Sequence, residues 1–203
     1  PSVYFTRERA IFIPKNELYE GNQALLPVVL HELFHIISRY NPALRTELYA
    51  LIGYQKLDAP LHFPAPLLKR RLLNPDGIDH NYAIELPDST GEAKRYISVI
   101  TADTAGPYPG KRYFDYIDFR LYPLLPTDIG YTVQPNGVPP EAAPGFFGQI
   151  GDNTGYIIHP DEILADNFVL LVLRKTGPKN YAARPLSEGG ETLLRQMEAV
   201  LKR

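Results

Sequence analysis

Apolar residues follow two rhythms along this chain. From Leu25 to Ile37 they crowd at helical spacing, with Leu25, Leu26, Val28, Val29, Leu30, Leu33, Phe34, Ile36 and Ile37 all apolar. This predicts a largely buried helix, preceded by a turn at Gly21-Asn22 and stopped by Asn41, since Pro42 disfavours helical geometry in the residue before it. Leu44, Leu48, Leu51 and Ile52 keep the same spacing, so a second helix follows, capped by Asn41, with Pro42 in its first turn and Gly53 at its end. A helix is predicted from Pro160 through Val172, stopped by Gly177-Pro178. The last, amphipathic, runs from Ser187 to Lys202 with Leu193, Leu194, Met197 and Leu201 on one side.

The other rhythm is short and strand-like. Ala10–Pro14 is an apolar run ended by proline. Asn81–Leu86 and Arg95–Thr101 flank a Pro87–Gly91 turn and predict a hairpin. Tyr113–Leu121 predicts a third strand, rich in aromatic residues. Leu57–Pro66 is expected to be loop, and Ala65–Leu73 a short helix closed by the turn Asn74–Gly77. Pro123–Gly151 carries proline and glycine throughout and is expected to be a long functional loop or lid.

Composition narrows this picture. At 203 residues, 44 % apolar and 22 % charged, the chain suits one globular domain with room for an insertion. Its 20 prolines concentrate between Pro60 and Pro144, which argues against a regular helical bundle. A net charge of −2 gives no expectation of nucleic acid or an anionic membrane as partner. No apolar run approaches 18 residues, so no transmembrane segment is expected. The chain opens on Pro1-Ser2 without an initiator methionine, as in a processed or truncated form, and its compartment stays open. There is no cysteine. Any metal site must therefore be built from His, Asp and Glu.

One stretch of the first helix supplies such a site. His31-Glu32-Leu33-Phe34-His35 reads H-E-x-x-H. Residues four apart share a helix face, so His31 and His35 can present their rings to one point, with Glu32 beside them. Two neutral nitrogen ligands and a carboxylate to accept a proton from water are what a hydrolytic zinc site needs. Chance would produce the motif only roughly 0.007 times per chain of this His and Glu content, a low false-positive risk.

A catalytic zinc needs a third protein ligand. The pattern H-E-x-x-H-x-x-G-x-x-H fails here, because its later positions are Ser38 and Asn41. The candidate is Glu162 in Pro160–Phe168, with Asp166 four residues on and on the same helix face. Asp166 would accept the second ring N–H of His31 and fix its tautomer. His159 and Tyr156 precede that helix and are candidates to stabilise an oxyanion. His159 reads equally well as a residue of the helix start. His62 and His80 belong to no ligand-spacing motif and read as surface or turn residues.

H-E-x-x-H on one helix, with E-x-x-A-D on a later one, resembles the gluzincin, or thermolysin-like, metallopeptidases. The resemblance covers His31–His35 and Glu162–Asp166, about a tenth of the chain with their helices. It implies an α+β, zincin-like fold with an active-site helix, and zinc held by His31, His35 and Glu162. It implies Glu32 as base and acid, and a peptide or protein as substrate. His35 and Glu162 lie 127 residues apart, so the reading requires a β-rich insertion at about 57–155 within a single catalytic domain, 1–203. Two rivals remain: a non-peptidase metal amidohydrolase, and a catalytically silent zinc-binding or interaction domain. An intact Glu32 argues against the latter.

Overall fold

The structure, a computed structural model, describes residues 4–19, 21–74, 76–77, 80–102, 110, 115–177 and 185–203. It is mixed α+β and divides into two compact units. A helical unit comprises 1–52, 75–78 and 150–203; a β unit comprises 53–74 and 79–149.

The helical unit begins with a hairpin of β1 (Phe5–Arg7) and β2 (Ala10–Phe12), with Phe5 stacked on Phe12 at 4.6 Å. Glu8 makes its tight turn at φ +53°. The helices α1 (Leu25–Tyr40) and α2 (Pro42–Leu51) follow as predicted, with Pro27 tolerated in the first turn of α1, where N–H groups have no intrahelical partner. Asn41 stands at the start of α2 without a side-chain cap; its amide Nδ2 donates back to the Ile37 carbonyl at 2.8 Å. The unit closes with α5 (Pro160–Thr176) and α6 (Glu188–Leu201). Ser187 caps α6 by accepting from Gly190 N–H at 3.0 Å.

Helix α1 packs on α5, α2 and the hairpin, and α6 packs on α2 and α5. Phe34, Leu48, Ile163, Leu164 and Met197 are completely buried within this unit. Asn153 ties α5 to α6, donating to Asn167 Oδ1 at 2.7 Å and to the Gly190 carbonyl at 3.1 Å. A Cβ at position 190 would meet Asn153 Oδ1 at 2.0 Å and the Gly151 carbonyl oxygen at 2.9 Å, so a larger residue would have to displace the Asn153 side chain and strain this contact. Helix α1 is less enclosed than its composition predicts. Leu26, Leu33 and Tyr40, seven residues apart, are exposed along one face. The reason is packing: α5, α2 and the hairpin cover the side that carries Phe34, His35 and Ser38.

The β unit holds a sheet in the order β3-β6-β7-β8-β9-β4. Its strands are β3 (Tyr54–Lys56), β4 (Leu61–His62), β5 (Arg71–Leu72), β6 (Tyr82–Pro87), β7 (Ala93–Ala102), β8 (Ile117–Thr127) and β9 (Gly130–Val133). The predicted hairpin is β6–β7, in antiparallel register from Ile84↔Tyr96 to Pro87↔Ala93. Strand β5 pairs the far end of β7, and β4 pairs β9 in parallel. The two short helices are α3 (Ala65–Arg70) and α4 (Phe146–Gln149). Leu57, Ile97, Val99, Tyr122, Leu124 and Val133 form much of the core.

Four sequence expectations change here, the first being that the short helix expected over Ala65–Leu73 ends at Arg70 and gives way to β5 at Arg71–Leu72. The third strand starts at Ile117 and runs through Pro123 and Pro126 to Thr127; Tyr113 and Phe114 lie outside the described residues. Pro123 is the last residue of β8 to pair β7, so its missing N–H interrupts nothing further along that ladder. Its carbonyl still accepts from Gln134 N–H at 2.9 Å. The expected loop 123–151 therefore contains the end of β8, all of β9, a 3₁₀ turn at Pro140–Ala142, and α4. The expected loop Leu57–Pro66 contains β4, whose two residues are too few to show a period. Pro75 of the predicted Asn74–Gly77 turn lies outside the described residues. Among the described residues no helix is long and apolar enough to cross a membrane.

Candidate metal centre

Helices α1 and α5 build the site. On α1, His31 and His35 are one turn apart, their rings edge-to-face at 4.8 Å. On α5, Asp161, Glu162 and Asp166 face them. His31 Nδ1 donates to Asp166 Oδ1 at 2.9 Å, and His35 Nδ1 donates to Asp161 Oδ2 at 2.7 Å. Each imidazole therefore has its own carboxylate behind it, and each turns Nε2 the other way. Both Nε2 atoms point at Glu162, at 2.9 Å from His31 and 3.4 Å from His35 to the same Oε2.

The carboxylates behind the rings are themselves anchored. Asp161, fully buried, also accepts from Ser38 Oγ at 2.5 Å and Tyr49 Oη at 2.9 Å. Asp166 accepts from the Thr154 hydroxyl. Asp161, Ser38, Tyr49 and Thr154 were missed from the sequence. Asp161 carried a signal, since an acidic residue beside Glu162 lies about 100° round the helix and can reach a second face. Ser38 and Tyr49 carried none.

Does this donor set suit a metal? His31, His35 and Glu162 each offer one ligand atom, all within 4.8 Å of one another. With both Nδ1 protons committed to aspartates, the inward Nε2 atoms offer lone pairs, as does Glu162. Lone pairs converging in a buried place need a cation between them. A four-coordinate ion with bonds near 2.0–2.2 Å holds neighbouring ligand atoms roughly 3.3 Å apart, close to the separations seen here. His35 Nε2, buried, has no hydrogen-bond partner among the described residues. In the metal-free molecule protons do the cation's work. Burial by itself would lower His31, but its hydrogen bonds to Asp166 and Glu162 outweigh that and hold it up at about 9. His35 is likewise raised well above its ordinary value, against its burial, by its hydrogen bond to Asp161 and by the Glu162 carboxylate close to its other nitrogen. Burial would raise Glu162, and the two imidazoles overcome this and hold it below the usual carboxylate range. Two imidazole nitrogens and a carboxylate oxygen, so placed, could hold a metal ion.

Glu32 is placed beside this cluster. It is buried, and its Oε2 has no hydrogen-bond partner among the described residues. Glu32, His35 and Asp76 form a second grouping of ligand-type atoms within 4.8 Å. Asp76, also missed from the sequence, is held by the hairpin: its Oδ1 accepts from Thr6 N–H and Thr6 Oγ1, both at 2.7 Å. Burial, and then the charge of Asp76, push the Glu32 carboxyl up to about 7.

Of the remaining candidates, Tyr156 stacks on His31 with ring centroids 5.8 Å apart and is half-buried. His159 is buried at the start of α5, where its Nδ1 accepts from Asp161 N–H at 3.1 Å as the helix cap. Its ring packs edge-on to Tyr49, and Gly77 lies so close that a Cβ there would meet it at 3.0 Å. His62 is exposed and bonded to the Ile129 carbonyl; His80 packs edge-on to Phe63. The His31 side chain is 14 % exposed, so the cluster opens to solvent on that side. No family model matches this chain, and no curated protein or solved structure matches it.

Proposed function

We propose that this chain is a zinc-dependent peptidase of the zincin type, with His31, His35 and Glu162 holding the ion and Glu32 moving the proton. One observation carries the reading. Two imidazoles four residues apart on α1, each backed by its own carboxylate on α5, aim Nε2 at a third carboxylate from α5. Backing of this kind fixes tautomer and ring orientation, which ligating histidines require.

A bound zinc supplies Lewis-acid chemistry, polarising a carbonyl and making water nucleophilic at neutral pH. The side chains do the rest. Glu32, whose Oε2 has no partner among the described residues, takes a proton from the attacking water and passes it to the leaving amine. A carboxyl raised to about 7 suits both halves of that exchange near neutral pH. Tyr156, beside His31, is the hydroxyl donor for charge that develops on the substrate carbonyl oxygen. His159 positions rather than reacts in this reading, because its Nδ1 is committed to the first turn of α5.

The test is a peptide-library digest of wild type, Glu32→Gln and His35→Ala, with zinc content measured on each. Glutamine is nearly isosteric with glutamate and cannot take a proton at neutral pH. Glu32→Gln should keep about one zinc per chain and lose roughly 10²–10⁴-fold in rate. His35→Ala should lose metal and activity together. Equal cleavage by wild type and Glu32→Gln would refute the base assignment. A zinc-loaded wild type that cleaves no peptide would refute the peptidase reading and leave a small-amide hydrolase or a silent binding domain.

A further inference from the structure

In the β unit, a cleft of about 610 Å³ opens beside β4. That size is in the range of sites for small organic molecules, roughly 300–1,000 Å³. Pro60, Leu61, Phe63 and Leu68 make an apolar wall, and Arg71 and His80 line it as well. His80 stands edge-on to Phe63 at 5.9 Å, so part of that wall is a pair of aromatic rings.

Arg71 is the anomaly. Its neighbour Arg70 donates Nε and Nη2 to the Ala102 carbonyl at 3.2 and 2.8 Å. Arg120 pairs with Asp118 at 2.8 Å, and Arg95 donates to Tyr131 Oη at 2.7 Å. Arg71 has neither kind of partner among the described residues. Its guanidinium carbon lies 4.5 Å over the Phe63 ring, and its Nε is buried with no hydrogen bond. The ring replaces water on one side of a group that cannot give up its charge. Its backbone is held by the β5–β7 pairing, Arg71↔Thr101, so the side chain starts from a fixed point. A fixed, partly dehydrated fork of N–H donors in an apolar cleft lacks one thing, a planar or tetrahedral oxyanion to receive it.

We propose that this cleft binds a small organic anion. Arg71 takes its oxyanion, a carboxylate or a phosphate, and the apolar or aromatic body of the ligand rests on Pro60, Leu61, Phe63 and Leu68. The inference is independent of the metal centre.

The experiment titrates the whole chain, freed of metal by a chelator so that no ion takes up the carboxylate. The probes are benzoate, phenyl phosphate, benzyl alcohol and benzylamine, followed by ligand-observed NMR. Benzoate and phenyl phosphate should bind and displace each other, and the alcohol and the amine should bind at least about tenfold more weakly, as a charge-assisted contact requires. The tighter of the two anions identifies carboxylate or phosphate as the natural group. Arg71→Met, which keeps the stem over Phe63, should cost at least about tenfold in affinity for both anions, and Arg71→Lys should fall between, having the charge without the fork. Unchanged anion binding by Arg71→Met would overturn the proposal. So would equal binding of benzyl alcohol and benzoate, or no saturable binding of either anion up to roughly 20 mM. The comparison of anion, alcohol and amine on wild type stands even if Arg71→Met does not fold.

Discussion

Each histidine of the centre is held from behind by a different aspartate of one helix, and the two aspartates have different surroundings. Asp166 is partly open and bonded to Thr154; Asp161 is sealed in with Ser38 and Tyr49. Asp161→Asn should therefore weaken zinc binding by about 10–100-fold while the ligands themselves remain, because His35 loses its charged anchor. Competition with a chromophoric zinc chelator measures this; affinity equal to wild type would show that Asp161 serves packing alone. A second outcome concerns protons. Both imidazoles are raised in the metal-free molecule, His31 to about 9. In the proposed site a zinc ion takes the place of those protons, so uptake at pH 7 should release about two per ion into a weakly buffered indicator solution. Release should shrink as pH rises past 9. A release independent of pH would contradict the ion-for-proton exchange.

At the scale of elements, α1 is two-faced. Phe34 is fully buried and packs 5.6 Å from Phe168 on α5, whereas its neighbour Leu33 is exposed. Phe34→Ala should cost about 3–5 kcal/mol, through lost burial and the cavity left behind. Leu33→Gln should change stability by no more than about 0.5 kcal/mol. Urea unfolding of the two variants gives both figures. Comparable losses would mean that the outer face of α1 is covered in solution. The extents of α1, α2, α5 and α6 were legible in the sequence because helical period, proline and glycine act within one or two turns. β1, β3, β4 and β5 were not: strands of two or three residues have no period to read, and their pairing lies elsewhere in the chain.

For the whole molecule, the titrating groups set a pH window. In the metal-free protein the raised His31 contributes stability that is complete below its unfolded value of 6.5 and is lost as pH rises through about 9. Glu32, raised from 4.5 to about 7, acts with the same sign at lower pH. Glu162 is depressed, so its contribution is present above 4.5 and lost below it. Metal-free protein should thus be most stable near about pH 4.5, weaken first as Glu32 ionises on the way to about 7, and weaken further as His31 loses its proton toward pH 9. Zinc should reverse the alkaline trend, since it replaces the protons and binds the folded state alone, adding about 2.7 kcal/mol at a hundredfold excess over its Kd. Thermal melts with zinc and with chelator across pH 5–9 test this. A zinc-induced rise in Tm no larger at pH 8 than at pH 5 would count against a metal held at His31 and His35.

The sequence by itself determined the parts that depend on neighbours along the chain. It set the helix that presents His31, Glu32 and His35, the turn-flanked hairpin β6–β7, and the acidic first turn of α5 behind its proline. Tertiary structure decided which groups meet across 126 to 135 residues: Asp161 on His35, which the sequence did not announce, and Glu162 between both rings with Asp166 on His31, which the E-x-x-A-D spacing offered only as candidates. It also brought Asp76, carried by Thr6 of the hairpin, to Glu32. Spacing along a helix tells which side chains share a face. Which partner that face meets depends on how α1 lies across α5, and no local pattern of residues encodes that crossing.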